Sequence, residues 1–96
     1  MLKHIIFFKL KDYSPEECEK VRDLLLSMDG KVETIRDIKV GIDRVRSGRS
    51  YDIALEVVLD DAQALEDYQK DPYHCDVVKA YVRSAGITSV AVDYEF

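Results

Sequence analysis

The amino-acid sequence predicts one α+β domain over residues 1–96, with its elements in the order β-α-β-β-α-β. Three observations carry that prediction. Four stretches alternate apolar and other residues with period two, as strands do when residues i and i+2 share a face. Two intervening regions place apolar residues at helical spacing behind N-capping signals. No linker, low-complexity run or long charge block divides the chain. With 47% hydrophobic and 34% charged residues in 96, there is apolar surface for one core and none of the composition of a disordered chain.

The first stretch, Lys3 to Leu10, is rich in β-branched and aromatic residues and apolar on both alternating faces. His4, Ile6, Phe8 and Leu10 share one face; Ile5 and Phe7 centre the other, flanked by Lys3 and Lys9. Ser14-Pro15-Glu16-Glu17 then opens a helix, since Ser14 can accept from an orphan N–H, Pro15 suits the first turn and Glu17 completes a capping box. Cys18, Val21, Leu24, Leu25 and Met28 continue at helical spacing, and Gly30 predicts the end, giving a helix from Pro15 to Asp29. The period switches at Ile38, Val40 and Ile42, a second strand. Arg44 to Ser50, with three arginines and a glycine, reads as a solvated loop or as the cationic rim of a pocket for an anion.

Strand three puts Tyr51, Ile53, Leu55, Val57 and Leu59 on one face, and Asp52, Ala54, Glu56 and Val58 on the other. Asp60 or Asp61 caps a helix carrying Ala62, Ala64, Leu65 and Tyr68, which Asp71-Pro72 interrupts because the residue before proline leaves the helical region. Asp71 can cap a second helical piece running through Val77, Val78, Tyr81 and Val82 toward Gly86. Val90, Val92, Tyr94 and Phe96 alternate with Ser89, Ala91, Asp93 and Glu95 in the last strand. This order is the split βαβ, ferredoxin-like arrangement, an antiparallel four-stranded sheet with its helices on one face. The other face then exposes Ile5, Phe7, Ala54, Val58 and Ala91, an apolar surface that predicts a homodimer formed sheet to sheet.

Composition narrows the partners. Fourteen Lys and Arg against nineteen Asp and Glu give a net charge of −5, the wrong sign for nucleic acid or an anionic membrane surface. Two cysteines without Cys-x-x-Cys spacing, and no signal-peptide pattern, predict a reduced, cytoplasmic protein. Two histidines and two cysteines argue against a metal site. No glycine-rich loop comes after a strand and opens a helix, so nothing calls for a flavin, nicotinamide, haem or phosphate cofactor.

Lys-His-Ile-Ile-Phe-Phe-Lys-Leu-Lys at 3–11, Ser-Tyr-Asp-Ile-Ala-Leu-Glu-Val at 50–57, Asp-Tyr-Gln-Lys-Asp-Pro-Tyr-His at 67–74 and the terminal Val-Asp-Tyr-Glu-Phe resemble the stress-responsive dimeric α/β-barrel (Dabb) family over essentially the whole chain. The resemblance implies the ferredoxin-like fold and a two-fold dimer whose sheets enclose a barrel. It does not imply one chemistry, since the family holds stress-induced plant proteins as well as a polyketide cyclase that performs an aldol condensation. By resemblance to that cyclase, His4, Tyr68 and His74 match its pocket residues, while its strand-three histidine is replaced here by Ile53. A histidine base and a tyrosine donor suit removal of an acidic C–H proton and steadying of the enolate.

The sequence supports three readings. The first is a dimer that binds a small apolar or aromatic molecule in a pocket lined by Ile6, Phe8, Ile53, Leu55 and Tyr81, edged by His4, Tyr68 and His74. The second is a cofactor-free cyclase or monooxygenase with His74 as base and Tyr68 and His4 as donors or orienters. The third is a structural stress protein with a filled interior. Each candidate also has an ordinary packing role: His4 as a core histidine with one hydrogen bond, Tyr68 and Tyr81 in an amphipathic stripe, and His74 at a helix start. Cys75 adjoins His74, but neighbours on a helix point about 100° apart and pair poorly. An open cavity reaching His4, Tyr68 and His74 separates the first two readings from the third.

Overall fold

The computed structural model describes residues Met1–Phe96. Its elements are β1 (Leu2–Lys9), α1 (Pro15–Leu26), β2 (Asp37–Ile42), β3 (Ile53–Leu59), α2 (Ala62–Lys70), a π-helix (His74–Lys79), α3 (Ala80–Ser84) and β4 (Thr88–Glu95). The strands form one antiparallel sheet in the order β2-β3-β1-β4. That is the ferredoxin-like α+β architecture. β1, apolar on both faces, takes an inner position and pairs on both edges, with His4 opposite Val57 on one side and Asp93 on the other.

The helices cover a single face. Phe8 from β1, Ile53, Leu55, Val57 and Leu59 from β3, Cys18, Val21 and Leu25 from α1, Met28 just beyond it, and Tyr68 from α2 form the buried core. α1 starts as its sequence dictates: the Ser14 hydroxyl accepts from the Glu17 N–H at 3.0 Å, an interaction worth about 1 kcal/mol. On the opposite face Phe7 is 46% exposed and Val92 62% exposed, and the register puts Ile5, Ala54 and Val58 on that face with them. Ala91 does not belong to that surface by register. It pairs with Ile6, so its methyl turns toward the helix side and Val90 and Val92 take the outward places.

Three boundaries differ from the sequence expectation, each for a local reason. α1 stops at Leu26 instead of Asp29, because the Ser27 hydroxyl bonds back to the Leu24 carbonyl and the Met28 N–H to the Leu25 carbonyl, tightening the last turn. Gly30 still serves the next turn in a left-handed conformation, φ +81°. β3 begins at Ile53, so Tyr51 lies off the face it was expected to share and packs under Lys9 instead.

The cause of that second difference is Asp52, which is 2% exposed. Its carboxylate accepts from the Leu10 N–H and from Arg46 Nη1, both at 2.6 Å, while its own N–H donates to the Phe8 carbonyl at 2.8 Å. Arg46 adopts φ +54°, costing roughly 1–2 kcal/mol for a residue with a side chain, and its ion pair with the buried Asp52 carboxylate holds the turn in place. The loop read as solvated is therefore exposed yet clasped at its centre.

The third difference lies after Pro72. The interruption at Asp71-Pro72 is present: α2 ends at Lys70, and the Asp71 carboxylate accepts from the N–H groups of Tyr73 and His74. Beyond the break the chain winds into a six-residue π-helix before α3, where periodicity alone predicts a continuous α-helix. Gly86, at φ +67°, then turns the chain toward β4, and a Cβ there would come within 2.9 Å of Lys11 Cδ.

Candidate functional site

Between sheet and helices the packing leaves a cavity of about 120 Å³. The sheet supplies His4, Ile6 and Phe8 from β1, Leu55 from β3 and Ser89 from β4. The helical layer supplies Leu25, Tyr68 and Gln69, then His74, Val78 and Lys79 from the π-helix, and Val82 from α3. The structure thus brings His4, Tyr68 and His74 together, with Ile6, Phe8 and Leu55 as apolar walls. Ile53 and Tyr81 are not part of it. Ile53 sits two residues toward the loop end of β3, sealed in the core, and Tyr81 turns away to donate its hydroxyl to the Glu17 carboxylate, with Lys20 above its ring.

The three central rings form a stack. Tyr68 lies edge-on to His4, with ring centroids 5.5 Å apart, and tilts by 37° against His74 at 4.3 Å. Tyr68 is fully buried, and burial pushes its phenol well above the ordinary range, so the hydroxyl stays protonated. That hydroxyl meets Met28 Sδ at 3.8 Å, so the ring borders the cavity while its donor is turned to the core.

The two histidines differ in support. His4, 2% exposed, hydrogen-bonds through Nδ1 to the Asp93 carboxylate, a short contact. A carboxylate only accepts, so Nδ1 carries the proton of this bond, and Nε2 is the ring nitrogen left without a partner. His74 has no acidic partner on its ring. Burial, then the charges of Lys79 and His4, depress its pKa to about 4, so its imidazole is neutral near pH 7. His4 Nε2 and His74 Nδ1 are both buried without a hydrogen-bond partner. A buried polar atom left unmatched costs about 1–3 kcal/mol, and here two of them border the same cavity.

Sequence reasoning missed Asp93, which is one acid in an alternating strand; only the β1–β4 register, set by contacts far apart in sequence, puts it opposite His4. It also missed Lys79 and Val78 as cavity residues, because the π-helix is invisible to a 3.6-residue period. Cys75 donates its thiol to the Gln69 carbonyl at 3.1 Å and does not pair with the adjoining His74 ring. Of the larger hollows, one of about 400 Å³ lies beside Lys11, Ser14 and Tyr81, and two, of about 380 and 250 Å³, lie on the open face of the sheet beside Phe7. Neither of these two contains a buried unmatched polar group; the first reaches Asp43 and Arg49 at the loop, and the second is lined by Ile5, Phe7, Val90 and Val92, with Ala91 between the two valines.

No helix is long and apolar enough to cross a membrane. Comparison with known proteins agrees with the architecture. The chain is 29% identical, over the full length of both, to an uncharacterized protein of Streptomyces coelicolor. A dimeric protein of unknown function and ferredoxin-like fold from Bacteroides fragilis superimposes with a TM-score of 0.80 at 29% identity, covering 99% of this chain and 95% of that one. The hydroxynitrile lyase of Passiflora edulis shares the fold alone, with a TM-score of 0.78 at 13% identity over 97% of this chain and 90% of its own. Residues 2–96 match the family described as the Stress Responsive A/B Barrel Domain, and to that family the chain belongs.

Proposed function

We propose that this protein is a homodimer, paired through its open sheet face, and that each subunit binds a small, largely apolar molecule in the cavity beside His4 and His74. One observation carries the binding reading: two buried ring nitrogens, on the two histidines that border the cavity, lack any partner within the chain. A ligand with one polar group would satisfy them, and the apolar walls suit its body. The volume, about 120 Å³, matches a single ring or a short branched chain, since a cavity near 150 Å³ accommodates benzene. Space at this position also favours ligand binding over a purely structural role with a filled interior. The uncovered face around Phe7 and Val92 and the dimeric state of the Bacteroides relative support the pairing.

A second reading, cofactor-free proton transfer of the aldol or monooxygenase type, is favoured by the His4–Asp93 pair. With Nδ1 held by the carboxylate, Nε2 is the ring nitrogen free to take a proton, so the base role passes from His74 to His4, and His74, neutral, orients the substrate. Tyr68, bonded to Met28, would have to rotate to donate. The test is an NMR titration of the histidine ring signals with benzyl alcohol, alongside sedimentation. The expected result is a saturable shift of both His4 and His74 signals in a particle of twice 11.0 kDa, lost in Val82→Phe, which fills the cavity. Histidine signals that do not move at millimolar ligand refute the binding reading, and an 11.0 kDa particle refutes the dimer.

A further inference from the structure

We infer that the ligand of this cavity is an anion, a small carboxylate with an apolar body, and that Lys79 is the residue that selects it. The inference rests on the binding reading above and adds the chemical class. Its basis is the backbone between His74 and Lys79. In an α-helix, residues five apart diverge by about 140° at 100° per residue, so a wall built by His74 would turn Lys79 away. This segment is a π-helix, whose i→i+5 bonds bring the fifth residue back over the first. His74, Val78 and Lys79 therefore line the cavity together.

Lys79 is otherwise unclaimed. It is half-buried, forms no ion pair, and is the one cationic side chain among the twelve lining residues. Its charge reaches the interior, where it is among the causes that keep His74 neutral. The remaining polar groups cannot neutralise it: His74 is uncharged, Ser89 and Gln69 are neutral, and the Asp93 carboxylate is engaged by His4. A carboxylate seated at the π-helix meets an ammonium across an apolar, poorly hydrated space, where a charge-assisted bond counts for more than at an open surface. Its hydrocarbon part then lies against Ile6, Leu55 and Val82. An otherwise acidic chain, net charge −5, thus keeps a cation at the one internal space edged by unmatched polar atoms.

The experiment titrates the full-length protein with benzoate and with benzamide, a neutral molecule of nearly the same shape, in the native chain and in Lys79→Met and Lys79→Arg. The expected result is benzoate binding at least about tenfold tighter than benzamide, as a charge-assisted hydrogen bond provides. Lys79→Met should abolish that preference by weakening benzoate far more than benzamide, and Lys79→Arg should retain most of it. Benzamide binding as tightly as benzoate, or benzoate binding unaffected by Lys79→Met, overturns the anion assignment and leaves the pocket standing. If neither compound binds the native chain, the pocket reading falls and the assignment with it. Lys79 is at the surface end of the wall, so all three proteins should unfold at the same denaturant midpoint, which confirms that a lost preference is not lost folding.

Discussion

β3 and β4 belong to one sheet, both pair with β1, and both alternate apolar with other residues, yet their surroundings are opposite. β3 alternates fully and partly buried residues along its whole length, and all eight residues of β4 are exposed. Two neighbours and a helical layer make the difference. β3 lies between β2 and β1 with α1 and α2 above it, whereas β4 is an edge strand whose single neighbour is β1. Alternation therefore fixes which residues share a face, but the cover over that face comes from elsewhere in the chain or from another chain. An edge strand with Val90 and Val92 on its outer face is the part of this molecule most in need of a partner.

The comparison can be put to measurement, beginning with the largest effect. Leu55→Ala removes a side chain 1% exposed at the middle of β3 and should lower unfolding free energy by about 2–5 kcal/mol in a denaturant titration. Val92→Ala under dissociating dilution should change it by less than about 0.5 kcal/mol, since no cavity opens at an exposed site. Equal losses at the two positions would show that β4 is covered within one subunit and break the contrast.

A pH series sharpens the helical side of it. Folding depresses His74 from 6.5 to about 4, so between those values the unfolded chain takes up a proton that the folded chain refuses. The His74 contribution is complete above about pH 6.5 and is lost as pH falls toward 4. His74→Gln should flatten that part of the curve relative to the native chain. An identical slope in both proteins would remove His74 from the acid response.

A further test takes the Asp93 carboxylate, which β4 sends to the buried ring of His4. Asp93→Ala leaves the buried His4 Nδ1 without an acceptor and should destabilise by about 1–2 kcal/mol, more than an edge-strand residue otherwise would. In two-dimensional NMR the His4 ring should then show a mixture of tautomers. A single unchanged tautomer would mean that Asp93 does not orient the ring.

Range decides how much of the fold and site is legible in the sequence. Capping at Ser14, the break at Asp71-Pro72 and the alternation of β1 and β3 are local, and they fix the fold class and bring His4, Tyr68 and His74 to one side of the sheet. The faces of β4 need its register against β1, without which Ala91 reads as outward and Asp93 as an ordinary strand acid. Tyr51 reads as a core-face residue because nothing in an alternating string announces that its neighbour, Asp52, is anchored to Leu10 and Arg46. Tyr81 reads as a pocket residue because an α-helical count does not anticipate a π-helical segment before it. Ile53 does so because a strand face, seen only as a string, looks uniform along the cavity.

The Asp52 clasp has a further consequence, for proteolysis. Arg44, Arg46 and Arg49 crowd a glycine-containing, solvent-exposed loop, the kind of segment that trypsin-like enzymes cut first. A protease must draw several residues of extended chain into its cleft, and here that would mean pulling Arg46 off a carboxylate buried against β1. The loop's lifetime in a protease is therefore set by how often that ion pair opens, not by how exposed the arginines are. Nicking at this loop reports, at single-bond resolution, whether the end of β1 is still docked.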